Sequence, residues 1–103
     1  ALDVLSFKPA AAIASARRAG TTAALDDMQK LFTISSMPIV SSRYWNMVHG
    51  CTPEEVEQDQ EGLWTMRQLG RNMAWLLKSL EAGREAGIGL PDREAGSFTS
   101  FIR

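Results

Sequence analysis

Two short stretches carry the side chains best suited to chemistry. In Arg17-Arg18-Ala19-Gly20-Thr21-Thr22, two guanidinium groups stand ahead of a glycine and two hydroxyls. Guanidinium forks suit phosphate or developing negative charge, and a glycine lets backbone come close to a ring. Nucleic acid, a phosphate group and a planar cofactor all fit this set. An ordinary strand-to-helix turn with two solvated arginines fits it too, since arginine is mostly a surface residue. In Ser42-Arg43-Tyr44-Trp45-Asn46, two aromatic rings can wall a pocket or anchor a loop, and the Asn46 amide can both donate and accept.

Other candidates are weaker. His49 stands beside Gly50 and Cys51 with no local partner of the kind acid–base catalysis needs, so it reads as structural or exposed. Cys51 is the only cysteine, which excludes an internal disulfide and a cysteine-built metal site within one chain. The acidic run Glu54, Glu55, Glu57, Asp59 and Glu61 is explained by two helix starts, where carboxylates meet the positive end of the dipole, better than by a hard-cation site.

The elements that must position these residues can be read from pattern. Ala10–Ala16 is a continuous apolar run behind Lys8-Pro9, whose length and flanking residues favour a strand buried on both faces and edges, with a helix as the alternative its alanines leave open. Gly20-Thr21-Thr22 is a turn with Thr22 as helix cap, and Asp26 and Asp27 fall in the first turns. Leu25, Met28, Leu31 and Phe32 give that helix one apolar face, ending near Thr33–Ser36. Met37–Ser42 reads as a second buried strand, and Ser42–Gly50 as a loop. Thr52-Pro53-Glu54-Glu55 is a capping box with proline at the first helical position. Asp59 caps the longest helix, whose stripe is Leu63, Met66, Gly70, Met73, Leu77 and Leu80, with Gly70 allowing close approach to a sheet. Trp64 and Trp75, about three turns apart, flank that stripe. Gly83 or Gly87 ends the helix. Residues 1–90 form the folded part and 91–103 an extended tail.

The order strand, helix, strand, helix predicts an α/β fold with a parallel pair. Two parallel strands are few for a stable sheet, so the chain reads as a piece of a larger α/β domain. At 103 residues it is at most one domain. Lys and Arg total 11 against 12 Asp and Glu, a net charge of -1 that argues against a nucleic-acid module. The expectation from the lone cysteine and the short apolar runs is a cytoplasmic chain with no leader and no membrane attachment.

Three blocks in order, "KPAAAIASARRAGTTAALDDMQKLF", "MPIVSSRYWNMVHG" and "DQEGLWTMRQLGRNMAWLLK", resemble the C-terminal half of flavodoxin-like flavoproteins. The nearest group is the NADPH-dependent FMN reductase family, with its multimeric-flavodoxin and iron-sulfur-flavoprotein relatives. The resemblance spans about Phe7 to Leu77. It implies the C-terminal part of a doubly wound parallel sheet (β-α-β-α) that holds FMN at the strands' carboxyl edge. The phosphate-binding loop and the main flavin-ring loop of such proteins lie upstream of these blocks.

On that resemblance, Gly20, Thr21 and Thr22 would contact the pyrimidine edge of the flavin through backbone N–H groups and hydroxyls. Arg17 or Arg18 would stabilise the reduced flavin's charge or meet a nicotinamide-cofactor phosphate. Tyr44, Trp45 and Asn46 would wall the pocket. Both stretches would come after adjacent strands and share one rim, where open α/β sheets bind ligands. The implied activity is electron transfer from NAD(P)H through FMN. The implied partner is the N-terminal half of the same domain or another subunit, in a homo-oligomer. Two rivals remain: a dimerisation module with no cofactor site of its own, and a helix-turn-helix reading of residues 17–45. Against the second stand the charge balance, Pro38 inside the recognition helix and the β-favouring Ile39-Val40.

Overall fold

The computed structural model describes residues 2–101. Ala1, Ile102 and Arg103 lie outside the described residues, so the expected tail is seen only as 91–101. The elements are α1 (Leu2–Leu5), β1 (Ala14–Ala16), α2 (Thr21–Ile34), β2 (Met47–His49), α3 (Pro53–Gln58) and α4 (Gln60–Glu85). The fold is mixed α/β around one parallel pair, with Ala14 opposite Met47, Ser15 opposite Val48 and Ala16 opposite His49.

The second strand is not where the apolar pattern puts it. Met37–Ser42 touches the first segment only through an isolated parallel bridge, Ala10 with Ile39. Regular pairing resumes at Met47, inside the stretch read as loop. Ala14 lies four positions after Ala10, but Met47 lies eight positions after Ile39. The extra residues leave the sheet as a bulge between Val40 and Met47. Pro38 removes a donor from the early part of this segment, and its own carbonyl accepts from the Ala10 N–H at 2.9 Å. The first segment is shorter as a strand than expected for a related reason. Opposite the bulge, Ala12 gives its carbonyl to the Asn46 side chain instead of a ladder.

Helix α2 begins one residue before the expected cap. Gly20 is the N-cap, with φ of 98° and no side-chain bond, and Thr21 is already helical and buried. A left-handed backbone is open to glycine at little cost, which is why this turn can be so tight. Asp26 and Asp27 therefore fall beyond the first turn, which holds no acid. The helix ends at Ile34, as the pattern predicts. Ser36, with φ of 57°, closes it by sending its N–H to Thr33 O while the Met37 N–H reaches Phe32 O.

Side chains alternate across the pair. Ala12, Ala14 and Met47 face α2, where Leu25 is buried and Met28 and Phe32 pack against them. Leu31, expected in that face, is largely exposed, since the small sheet is too narrow to reach it. Val48 faces α4 at Gly62. Ile13 and Ser15 share the Val48 side and stay exposed, so β1 is half covered and not buried on both faces.

The seam of α4 is rotated from the expected stripe. Its buried residues are Gly62, Thr65 and Leu69. Leu63, Met66 and Met73 flank that seam half-buried, while Leu77 and Leu80 are exposed. A Cβ on Gly70 would meet nothing within 4 Å, so this glycine makes no close approach to the sheet. A Cβ on Gly62 would lie 2.9 Å from Val48 Cγ2, so Gly62 fills that role. The helix ends at Glu85, where Gly87 takes φ of 94° and the Ile88 N–H bonds Gly83 O.

The molecule is open. Its radius of gyration is 17.4 Å, against about 13 Å for a compact domain of this length. Its accessible surface is 8155 Å², against about 5,700 Å² for a folded monomer of its mass. Among the described residues one parallel pair of strands carries a helix on either face, α2 against β1 and α4 against β2.

Candidate functional site

The bulge is a built loop, fastened at three points. The Asn72 Nδ2 donates to Ser41 O at 2.8 Å, tying its start to α4. At its end Asn46, 5 % exposed, donates Nδ2 to Ala12 O at 3.1 Å. Ser42 Oγ donates to Asn46 Oδ1, and the Asn46 carbonyl accepts from the Ala14 N–H. Both ends of the Asn46 amide are thus engaged within the protein. Between these points Arg43 lies over Trp64, 3.7 Å from the ring centroid, and donates Nη1 to Thr65 Oγ1 at 3.1 Å. Glu61 Oε1 stands 3.8 Å away.

What the loop displays is aromatic. Tyr44 and Trp45 have ring centroids 5.5 Å apart, tilted by 40°, and are 56 % and 58 % exposed. They border a cleft of about 440 Å³ whose other wall is α2, with Thr22, Leu25, Asp26 and Gln29. A smaller hollow of about 170 Å³ continues from the same rings toward Met47, His49, Asp59 and Thr65.

The expected site residues are therefore divided. Thr22, Tyr44, Trp45 and Asn46 come together in one cleft. Arg17 and Arg18 do not join them. They stand beyond the end of β1 in an open depression with His49, Gly50, Cys51 and Glu55. The expectation that both stretches lie just after strands and share a rim is corrected here. Residues 42–46 precede β2, and the segment leaving the carboxyl end of β2 is Gly50–Thr52. Gly20 makes the turn between the two groups. Thr21 is buried, its hydroxyl turned to Met47 Sδ at 3.4 Å, so its side chain is committed to the core.

His49 does have a charged neighbour, ten residues on. Its backbone N–H donates to Asp59 Oδ2 at 2.8 Å, and its Nδ1 lies 3.9 Å from the same oxygen. The other Asp59 oxygen accepts from the Gly62 N–H at 2.9 Å, as an N-cap should. The Gly62 N–H first, and the His49 N–H second, hold the Asp59 carboxyl below its ordinary 3.8, with burial opposing. Asp59 thus joins the end of β2 to the start of α4.

The Thr52 cap also forms, accepting from the Glu55 N–H at 3.2 Å, while Glu55 Oε1 reaches back to the Cys51 N–H. The two helix starts thus engage Glu55 and Asp59 of the acidic run. Among the described residues no group of three or more histidine, cysteine or acidic side chains could hold a metal. None of the described helices is long and apolar enough to cross a membrane.

Arg43, Thr65 and Asn72 are the contributors that residue pattern does not single out. Arg43 and Thr65 are 22 positions apart, and Asn72 is 31 from Ser41. No local spacing could announce either pair. No family model, no curated protein and no solved structure matches the chain.

Proposed function

We propose that this chain is one half of an FMN-binding α/β domain of an NAD(P)H-dependent oxidoreductase, contributing the wall of the flavin-ring pocket. The observation that carries the reading is the cleft in which Thr22 faces the exposed Tyr44–Trp45 pair across about 440 Å³. Two rings held open to solvent by a fastened loop forgo burial that aromatics normally gain. A flat apolar ligand stacked there would restore it. The residues suit the ring end of FMN: aromatic faces for the isoalloxazine and the Thr22 hydroxyl for a heteroatom. They offer no phosphate loop, so the ribityl phosphate needs groups from elsewhere.

When bound, FMN supplies the hydride and electron chemistry. The chain's own residues bind and orient. Arg17 and Arg18, at the carboxyl end of β1, face the depression through which a nicotinamide cofactor's phosphates could be met.

The missing half is supported by what β1 leaves open. Ala10, Ala14 and Ala16 spend backbone groups on the second segment. By strand alternation the groups of Ala11, Ile13 and Ser15 point to the other edge, where a further strand can add. Ile13 is 53 % exposed on the adjoining face. The excess surface fits a partner that completes the domain, either the N-terminal half or another subunit.

The test is the visible spectrum of the product of the whole reading frame that contains this chain, after equilibration with FMN and removal of the free cofactor. Flavin bands are expected, weakened in a Tyr44→Ala, Trp45→Ala double variant. The 103-residue chain alone should show no tight FMN uptake. A colourless product that fails to quench flavin fluorescence overturns the proposal.

A further inference from the structure

The geometry points to Arg43 as the positioning residue that aims Tyr44 and Trp45 into the cleft, with one turn of α4 acting as its receptor. The inference rests on the flavin-pocket reading for its purpose, and on contacts independent of that reading for its geometry.

Glu61, Trp64 and Thr65 sit at spacings of three and four on α4, so they share one helix face. Together they offer a guanidinium a carboxylate, a ring face and a hydroxyl oxygen. Thr65 is 2 % exposed, and its Oγ1 donates to Glu61 O at 2.9 Å. A threonine hydroxyl has one proton and two lone pairs, so with its proton committed the oxygen is left to accept from Arg43. The guanidinium fills that role while packed over the Trp64 ring and 5.9 Å from the Tyr44 ring centroid. Its side chain is only 27 % exposed.

Lysine cannot reproduce this. An ammonium is a point charge on a flexible stem, without a plane to stack or a fork to direct. Arg43 is also the residue directly before Tyr44. Fixing its side chain on α4 sets the direction in which the next two rings leave the backbone. The bonds of Ser41 and Asn46 hold the ends of the bulge, Ser42 Oγ lies 3.0 Å from the Tyr44 carbonyl oxygen within it, and Arg43 is the fastening that ties its middle to α4.

The test compares Arg43→Ala, Arg43→Lys and Trp64→Leu with the parent chain. One readout is nuclear relaxation of the Trp45 indole N–H and the Tyr44 amide. The second is FMN affinity in the product of the whole reading frame. Far-ultraviolet circular dichroism checks folding. All three variants should keep their helical signal, show increased motion at Trp45, and lose about tenfold in FMN affinity, the size of a partly desolvated cation–π contact.

Wild-type order at Trp45 in Arg43→Ala overturns the inference. So does full rescue of order and affinity by Arg43→Lys, since charge alone would then suffice. Should Arg43→Ala fail to fold, Trp64→Leu carries the test, because it leaves the loop's own sequence intact. A parent product that ignores FMN sinks the flavin reading, while the relaxation data still judge Arg43.

Discussion

Removing the Asp59 carboxylate should uncouple the start of α4 from the end of β2. In Asp59→Ala two N–H groups lose their acceptor, that of Gly62 and that of His49. Loss of a helix N-cap costs about 1 kcal/mol. A half-buried donor left without its partner costs about 1 kcal/mol more. The expected loss is about 2 kcal/mol, a large share of the stability of any small domain. With a urea dependence of about 1–2 kcal/mol per molar for a chain of this size, the midpoint should fall by about 1–2 M. Asp59→Asn keeps one acceptor oxygen and should lose about half as much.

The pH dependence supplies a second signature. The folded carboxyl sits below its ordinary 3.8, so between the two values the unfolded chain binds more protons than the folded one. The stabilisation is complete above about pH 5 and disappears as pH falls through 3.8 and then through the folded value. Urea titrations traced by helical circular dichroism at about pH 7 and below about pH 4 would measure both. Asp59→Ala should show a shallower acid limb than the parent. A midpoint shift under about 0.3 M with an unchanged acid limb would refute the two-donor account.

Further outcomes concern the helix glycines, the bulge and the open strand edge. Gly62→Ala should destabilise by about 1–3 kcal/mol, because its Cβ would lie 2.4 Å from Asp59 Oδ2 and 2.9 Å from Val48 Cγ2. Gly70→Ala, with open space around it, should stabilise by up to about 1 kcal/mol through helix propensity, and thermal melts of the pair would separate the two glycines. Asn46→Ala should cost about 2 kcal/mol and release the bulge, seen as faster amide exchange at residues 42–46, because it deletes the bonds to Ala12 and Ser42. Ile13→Lys should leave the circular dichroism unchanged yet reduce association of the chain in sedimentation velocity, since it places a charge beside the open edge of β1.

Most helix ends and caps are legible in the residues because their causes lie within one turn, the start of α2 at Gly20 rather than Thr22 being the exception. Thr52-Pro53 and Asp59 announce two starts, and Gly87 and the Ser35-Ser36 pair mark two stops. The parallel relation of two extended segments joined by α2 is legible as well, from the alternation of apolar runs with one helical period. Register is not. Six residues from Ser41 to Asn46 are lifted from the pair by bonds to Asn72, Trp64, Thr65 and Ala12, all distant in the chain. An apolar run such as Met37–Val40 looks the same whether it pairs along its length or at one bridge.

The same holds for the face of α4. Periodicity shows a broad apolar arc, but which part of it is buried depends on a sheet only two strands wide. The arc is therefore used along Gly62, Thr65 and Leu69 and left open beyond it. Tyr44, Trp45, Asn46 and Thr22 could be chosen by residue type, yet their meeting in one cleft, and the separation of Arg17 and Arg18 from them, came from that unpredicted bulge. Local chemistry writes caps and turns into neighbouring residues, whereas long-range contacts set register, helix rotation and the grouping of side chains, and no short stretch contains both partners of such a contact.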